Sequence, residues 1–282
     1  PRHVHLPAAW GDSVRENQRV ELDLFNKAMD ALDGARVWKM RDEIDKKTTP
    51  SSWIPDEPEY VGWLSEDGGT LIPQPQGSEP LKQGECLWIR GPDGRGKTSA
   101  TLAALKSIDH MIQVGADKSS APILLAYFLC DSTPDYGTAE ELVKSLVWQL
   151  IRRDEYLASH AEFLVGKTDK LKPKVQPLLT VENLWQVLQD ILADKTLSDT
   201  SIYLVINNLE ALPDSGSTST LLSLLNAEVE NMVGRHAKVR WLITSGESYR
   251  IGQALKGKSL RLIDLEDKKY SDQVQLELRN HA

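Results

Sequence analysis

Apolar residues recur along this chain with two different spacings, one near every third or fourth position and one in short unbroken runs, which together predict helices interleaved with strands. The first helical stretch opens at Ser13 to Glu16, a Ser-x-x-Glu capping box, and carries Val20, Leu24, Ala28 and Leu32 up to Gly34. A second short helix is expected from Ala35 to about Lys46. Thr48 to Pro58 reads as a loop holding Trp53 and Ile54, and the PEYVGWL segment after it sets Tyr60, Trp63 and Leu64 on one helical face. Gly68 to Glu85 is rich in Gly and Pro and reads as a long connecting loop.

Five apolar runs then read as strands: Cys86 to Arg90, Ile123 to Cys130, Ile202 to Ile206, Val239 to Thr244 and Leu260 to Leu265. Between them come helical patterns. One begins at Lys97 and carries Leu102, Leu105, Ile108 and Ile112; a second is opened by the capping box Thr138 to Glu141 and carries Leu142, Val143, Leu146, Val147 and Leu150. More helix is expected through Phe163, then a Lys- and Pro-rich loop, then helices carrying Leu184, Leu188, Ile191 and Leu192 and spanning Leu221 to Val233. Strands alternating with helices imply an α/β fold, a parallel sheet covered on both faces, with its ligand at the carboxyl ends of the strands.

Composition narrows the function. Of the 282 residues 40% are hydrophobic and 26% charged, the balance of a soluble globular protein. A net charge of -8 argues against a general nucleic-acid surface, which needs clustered Lys and Arg. The longest apolar run, Ile123 to Cys130, is too short to span a bilayer, and no secretory pattern opens the chain, so the expected location is the cytosol. Cys86 and Cys130 both fall in apolar runs and read as buried free thiols. Among the histidines only His3 and His5 are closely spaced, so a structural metal site is not expected. A start at Pro1 rather than Met reads as a piece of something longer, with flanking domains as partners.

The chemistry is carried by GPDGRGKTS. Gly91, Gly96, Lys97 and Thr98 supply Gly, four residues, Gly, Lys, Thr without a gap, between a strand and a helix, which is the setting of a phosphate-binding loop. Gly91 lets the chain turn out of the strand, and Gly94 and Gly96 remove side chains so that backbone N–H groups can close around a phosphate. The expected binding set is Gly91, Asp93, Gly94, Arg95, Gly96, Lys97, Thr98 and Ser99. Lys97 is placed between the β and γ phosphates, Thr98 on a magnesium ion, and Ser99 toward the α phosphate.

The other half of such a site lies on neighbouring strand ends. In LVINNLEAL the first polar residues are Asn207, a candidate for the catalytic acid's place that keeps the shape of Asp without its charge, and Asn208, a candidate for the nucleotide, then Glu210, a candidate to orient water; that the asparagines merely start a turn is the weaker reading. In WLITSGES, Thr244 and Ser245 are candidates to sense the γ phosphate, and they equally suit capping of a helix after Ser248. No guanine-selective Asn-Lys-x-Asp follows the loop; Asn26 and Lys27 precede it and lack the Asp, so adenine is expected. Trp53 or Ile54 is a candidate to pack on the base, with a core role for Trp53 the stronger reading.

These pieces in this order resemble the NACHT-type signal-transduction NTPases of the STAND class, especially fungal members related to heterokaryon-incompatibility proteins. The matching segments are Trp53 and Ile54 with PEYVGWL, LWIRGPDGRGKTS, AYFLCDS, LVWQLI at Leu146 to Ile151, LVINNLEAL and WLITS, within Thr48 to Leu265. The resemblance implies a sheet of order 5-1-4-3-2 and a switch worked by ATP or ADP, in which exchange opens the protein and drives self-association through neighbouring domains. It divides the chain into a helical segment or linker, 1–47, and a nucleotide-binding domain, 48–282. The family usually has Asp at Asn207, a further acid at Ala211 and Arg at Gly246. Their loss implies weakly held magnesium and weak or negligible hydrolysis. The alternatives are an active ATPase or small-molecule kinase using Glu210 as base, and a scaffold that binds nothing. The chain also stops before the winged-helix segment that in such proteins closes over the base.

Overall fold

A computed structural model describes residues 21–64, 86–116, 121–130, 137–165, 179–230, 238–256 and 260–280. The capping box at Ser13 to Glu16, the loop expected at 68–85 and, over 166–178, the Lys- and Pro-rich loop expected after Phe163 lie outside the described residues.

The five apolar runs form one parallel sheet: β1 (Cys86–Arg90), β2 (Ile123–Leu129), β3 (Ser201–Asn207), β4 (Lys238–Ser245) and β5 (Leu260–Asp264). Its order, β2-β3-β4-β1-β5, is the expected 5-1-4-3-2 order counted from the other edge. The described helices are α1 (21–32), α2 (Arg36–Lys47), α3 (Pro58–Leu64), α4 (Lys97–Ala116), α5 (Ala139–Arg153), α6 (Glu162–Val165), α7 (Val181–Leu192), α8 (Gly216–Glu230), α9 (Tyr249–Ala254) and α10 (Ser271–Asn280).

Because side chains on a strand alternate between faces, each strand feeds two cores. Trp88, Phe128, Leu204 and Trp241 pack with α1, α5, α7 and α8, while Leu87, Ile89, Tyr127, Val205 and Leu242 pack with α3 and α4. Burial on both sides accounts for the nearly unbroken apolar reading of the strands. Within the first core the carboxylate of Glu228 is held by two neutral donors, Trp241 Nε1 and Gln189 Nε2, each at 3.1 Å.

Two stretches depart from expectation. Helix α8 starts at Gly216, five residues before Leu221, because Ser215 Oγ accepts from the Thr218 N–H at 3.1 Å and caps a Ser- and Thr-rich first turn that has no apolar period. After α5 the chain runs as a 3-10 turn, Glu155–Ala161, before α6; Asp154 opens it by accepting from Tyr156 N–H at 3.2 Å.

The β2 edge of the sheet is closed by side chains. Gln149 of α5 donates from Nε2 to Tyr127 O at 2.8 Å and accepts at Oε1 from Tyr127 N–H at 3.3 Å, as a neighbouring strand would. Outside that edge α2 reaches both layers: Arg41 bonds Asp109 of α4 at 2.6 Å, and Trp38 meets Trp148 of α5 edge-on at 4.8 Å. Gly34, between α1 and α2, lies so close to the Trp148 side chain that a Cβ there would fall 2.8 Å from it.

Candidate functional site

The phosphate loop is held at its base by continuation of the sheet. Gly91 N–H donates to Ser245 O at 3.1 Å, Leu265 N–H donates to Arg90 O at 2.8 Å, and a Cβ on Gly91 would meet Leu265 at 2.9 Å. Gly94 and Gly96 adopt φ of +76° and +88°, the left-handed region that glycine enters without steric cost. A Cβ at Gly94 would meet nothing within 4 Å. Helix α4 begins at Lys97, so its first-turn N–H groups, which lack intrahelical acceptors, follow directly on the loop.

Lys97 is only 5% exposed. Its Nζ donates to Gly91 O at 2.9 Å and to Asp93 Oδ1 at 3.2 Å, and it lies 3.0 Å from Glu210 Oε1. Arg95 is half-buried within the loop, with its N–H on Pro92 O at 3.4 Å. Ser99 is buried, and its carbonyl accepts from Ser51 N–H at 2.9 Å, which ties the segment before α3 to the start of α4.

At the end of β3, Asn207 is 3% exposed and fully engaged. Its Oδ1 accepts from Thr101 Oγ1 at 2.8 Å and Thr244 Oγ1 at 2.9 Å, and its Nδ2 faces Thr98 Oγ1 at 3.5 Å. Asn208 follows at φ +62°, a left-handed conformation that Asn tolerates better than most residues, and its N–H donates to Thr244 Oγ1 at 2.9 Å. The turn beyond it brings Glu210 back over the loop to Lys97. Ala211 closes that turn, its N–H on Asn208 O at 2.9 Å, and packs against the core.

The structure therefore gathers Lys97, Thr98, Asn207, Asn208, Glu210 and Thr244 into one cluster at the start of α4 and the ends of β3 and β4. Ser245 is turned elsewhere: its Oγ accepts from Trp88 Nε1 at 2.9 Å and donates to Gly246 O at 3.0 Å. Neither hydroxyl caps α9, whose start at Ser248 has no side-chain cap. Ile54 is fully buried beside α4, and Trp53 stacks on Tyr270 at 4.9 Å. Thr101 was not anticipated as part of the cluster. Its signal was a hydroxyl in the otherwise apolar run Ala100 to Leu105, and that hydroxyl also reaches Lys97 O at 3.1 Å.

Both cysteines are free and buried, and burial pushes both thiols far above their usual range, with the charge of Glu210 adding to the effect at Cys130. They are therefore neutral and inert.

A divalent cation needs oxygen donors, preferably anionic. Beside Thr98 stands an amide nitrogen, and the nearby carboxylate of Glu210 is engaged with Lys97. This set does not fit a tightly held magnesium ion. Among the described residues no group of three or more His, Cys, Asp or Glu is placed to hold a metal, and no helix is long and apolar enough to cross a membrane.

Residues 50–246 match the family model described as Nephrocystin 3, N-terminal. No curated protein matches the chain. Among solved structures, the Aeropyrum pernix ORC1 protein in complex with DNA is 13% identical, covering 82% of this chain and 51% of its own, with a TM-score of 0.38. The Aeropyrum pernix ORC2 protein in its ADP form is 10% identical, covering 70% and 47%, with a TM-score of 0.36. The same protein in ADPNP-ADP complexes is 9% identical, covering 70% and 46%, with a TM-score of 0.37. This chain spans about half the length of each of those chains. The family match takes in the strand, loop and helix around Gly91 to Thr98 and the ends of β3 and β4, and the chain, with its P-loop NTPase fold, belongs to the family of the nephrocystin 3 N-terminal domain.

Proposed function

We propose that this chain is a nucleotide-binding switch domain that takes ATP or ADP through Gly91 to Ser99 and hydrolyses it slowly or not at all. The observation that carries the reading is the buried Lys97 folded over a loop whose Gly94 and Gly96 stand in left-handed conformations, a cradle of amides and one cation suited to a polyphosphate. Slow turnover follows from the neutral, fully engaged Asn207 beside Thr98, from Ala211, and from Gly246, which has no cationic side chain to offer a γ phosphate. Magnesium is correspondingly held weakly.

The resemblance to fungal NACHT-type STAND proteins extends the reading. Residues 1–47 serve as the approach to a nucleotide-binding domain over 48–282, and sensor and effector domains flank it in the cytoplasm. Nucleotide exchange is coupled to self-association. Thermal denaturation of the chain with and without ATP and ADP tests the core of this proposal. A ligand at a hundredfold its dissociation constant stabilises by about 2.7 kcal/mol, and Lys97→Ala should abolish the shift. No shift with either nucleotide would refute nucleotide binding, and single-turnover hydrolysis at ordinary ATPase rates would refute the slow-turnover half.

A further inference from the structure

We infer that Glu210 sets the length of phosphate chain this site accepts, favouring a nucleoside diphosphate over a triphosphate; the inference rests on the nucleotide reading above. Lys97 Nζ touches two carboxylates of very different character. Asp93 is 98% exposed, so water disperses its charge. Glu210 has a side chain 23% exposed, both its oxygens are shut off from solvent, and neither accepts a hydrogen bond. Its cationic neighbour is Lys97 Nζ at 3.0 Å, and charges paired out of contact with water act on one another more strongly than exposed ones do. What lies next to it is the far side of Lys97, where the lysine of such a loop meets the γ phosphate.

Apart from Lys97, the groups named here around Glu210 carry no positive charge. Asn207 and Thr244 are neutral and bonded to each other at 2.9 Å. Position 246, the next residue beyond β4 on that side, is glycine, and a Cβ there would lie 3.0 Å from Glu210 Oε1, so the carboxylate fills the space a longer side chain would take. The left-handed Asn208, fixed by its N–H bond to Thr244 at 2.9 Å, holds the turn that carries Glu210 in this place. A diphosphate ends within the amide cradle and takes Lys97 from the near side. A triphosphate sets its most highly charged group against Glu210, with a single lysine already shared and no strongly bound metal to offset the repulsion. Glu210 is thus a specificity-determining residue, its carboxylate turned to Lys97.

Titration calorimetry on the 282-residue chain in a chelating buffer, with ADP and with the β,γ-imido analogue of ATP, tests this. The wild-type chain should bind ADP about tenfold or more tightly than the triphosphate. Glu210→Gln should raise triphosphate affinity about tenfold while leaving ADP within about threefold. Gly246→Arg is the second variant: its Cβ displaces only the flexible end of Glu210, its guanidinium pairs with the bare oxygens, and triphosphate affinity should rise in the same way. Equal affinities in the wild-type chain, or a diphosphate-to-triphosphate ratio unmoved in both variants, overturns the inference and leaves nucleotide binding standing. No heat with either nucleotide in the wild-type chain overturns both.

Discussion

Replacing Asn207 by Asp tests whether the end of β3 is a vacated cation site. The substitution keeps the shape of the side chain, so Oδ1 retains the hydroxyls of Thr101 at 2.8 Å and Thr244 at 2.9 Å, while the atom facing Thr98 changes from a donor to an anionic acceptor. With the residue 3% exposed, desolvating the new charge costs several kcal/mol. Three hydroxyls donating to a carboxylate return about 1.5–3 kcal/mol each at best, and two of these bonds already exist in neutral form, so the net loss without metal is about 1–3 kcal/mol. For a chain of this size each kcal/mol moves the midpoint by about 2–4 °C, so the variant should melt several degrees lower in a chelating buffer. Adding millimolar magnesium with ADP should recover that loss and more, because the cation now pairs with the buried anion beside Thr98. The wild-type chain, with an amide there, should respond to magnesium weakly. Differential scanning calorimetry on both proteins with and without magnesium decides it. Equal melting in chelator would mean that water reaches position 207, and an equal magnesium response would mean that no cation position adjoins it.

Two further outcomes follow from the scaffold. Gln149→Leu removes the bonds to Tyr127 N–H and O and to Ser145 O, leaving two backbone groups of β2 unpaired, so urea denaturation should show a loss of about 2–4 kcal/mol and gel filtration a tendency to edge-to-edge pairing; unchanged stability would mean the edge is wet. Burial works against the Asp194 charge, but the Thr196 N–H at 2.8 Å, its hydroxyl at 2.7 Å and His160 at 2.7 Å outweigh it and hold that carboxyl below its ordinary value. Its contribution is therefore fully present above the unfolded value, near 4, and is lost as the pH falls through the lower folded one. Asp194→Asn should cost about 1 kcal/mol at neutral pH and make the acid limb of the stability curve shallower, whereas an unaltered limb would show that the charge is not stabilising.

What could be read from sequence was what is contiguous in sequence. Strand, glycine loop and helix from Cys86 to Ala116 are neighbours along the chain, so the loop stands between β1 and α4, where it was expected. The alternation of strands and helices sufficed for the parallel sheet, since β1 to β4 feed both cores, and at the edge β5 leaves Leu262 39% exposed. The remaining contacts depend on register. Thr244 reaches Asn207 because β4 pairs β3 with Ile243 opposite Ile206, and Ser245 is lost to Trp88 because β1 lies on the other side of β4. Glu210 was visible as an acid after a strand, but its contact with Lys97 hangs on the left-handed backbone of Asn208, which no period of apolar residues encodes. The first turn of α8 was likewise silent, being built of Gly, Ser and Thr.

The bend between α1 and α2 has a mechanical meaning. Ala28 and Leu32 sink into one layer, Val37 into the other, and Gly34 seats the bend against an indole with no slack for even a methyl group. Such a bracket cannot swing as a free tether. Any load or ordering applied to the chain upstream of it would arrive at both sides of the sheet together, through α5 and through α4, the very helix whose first residues close over the phosphate loop.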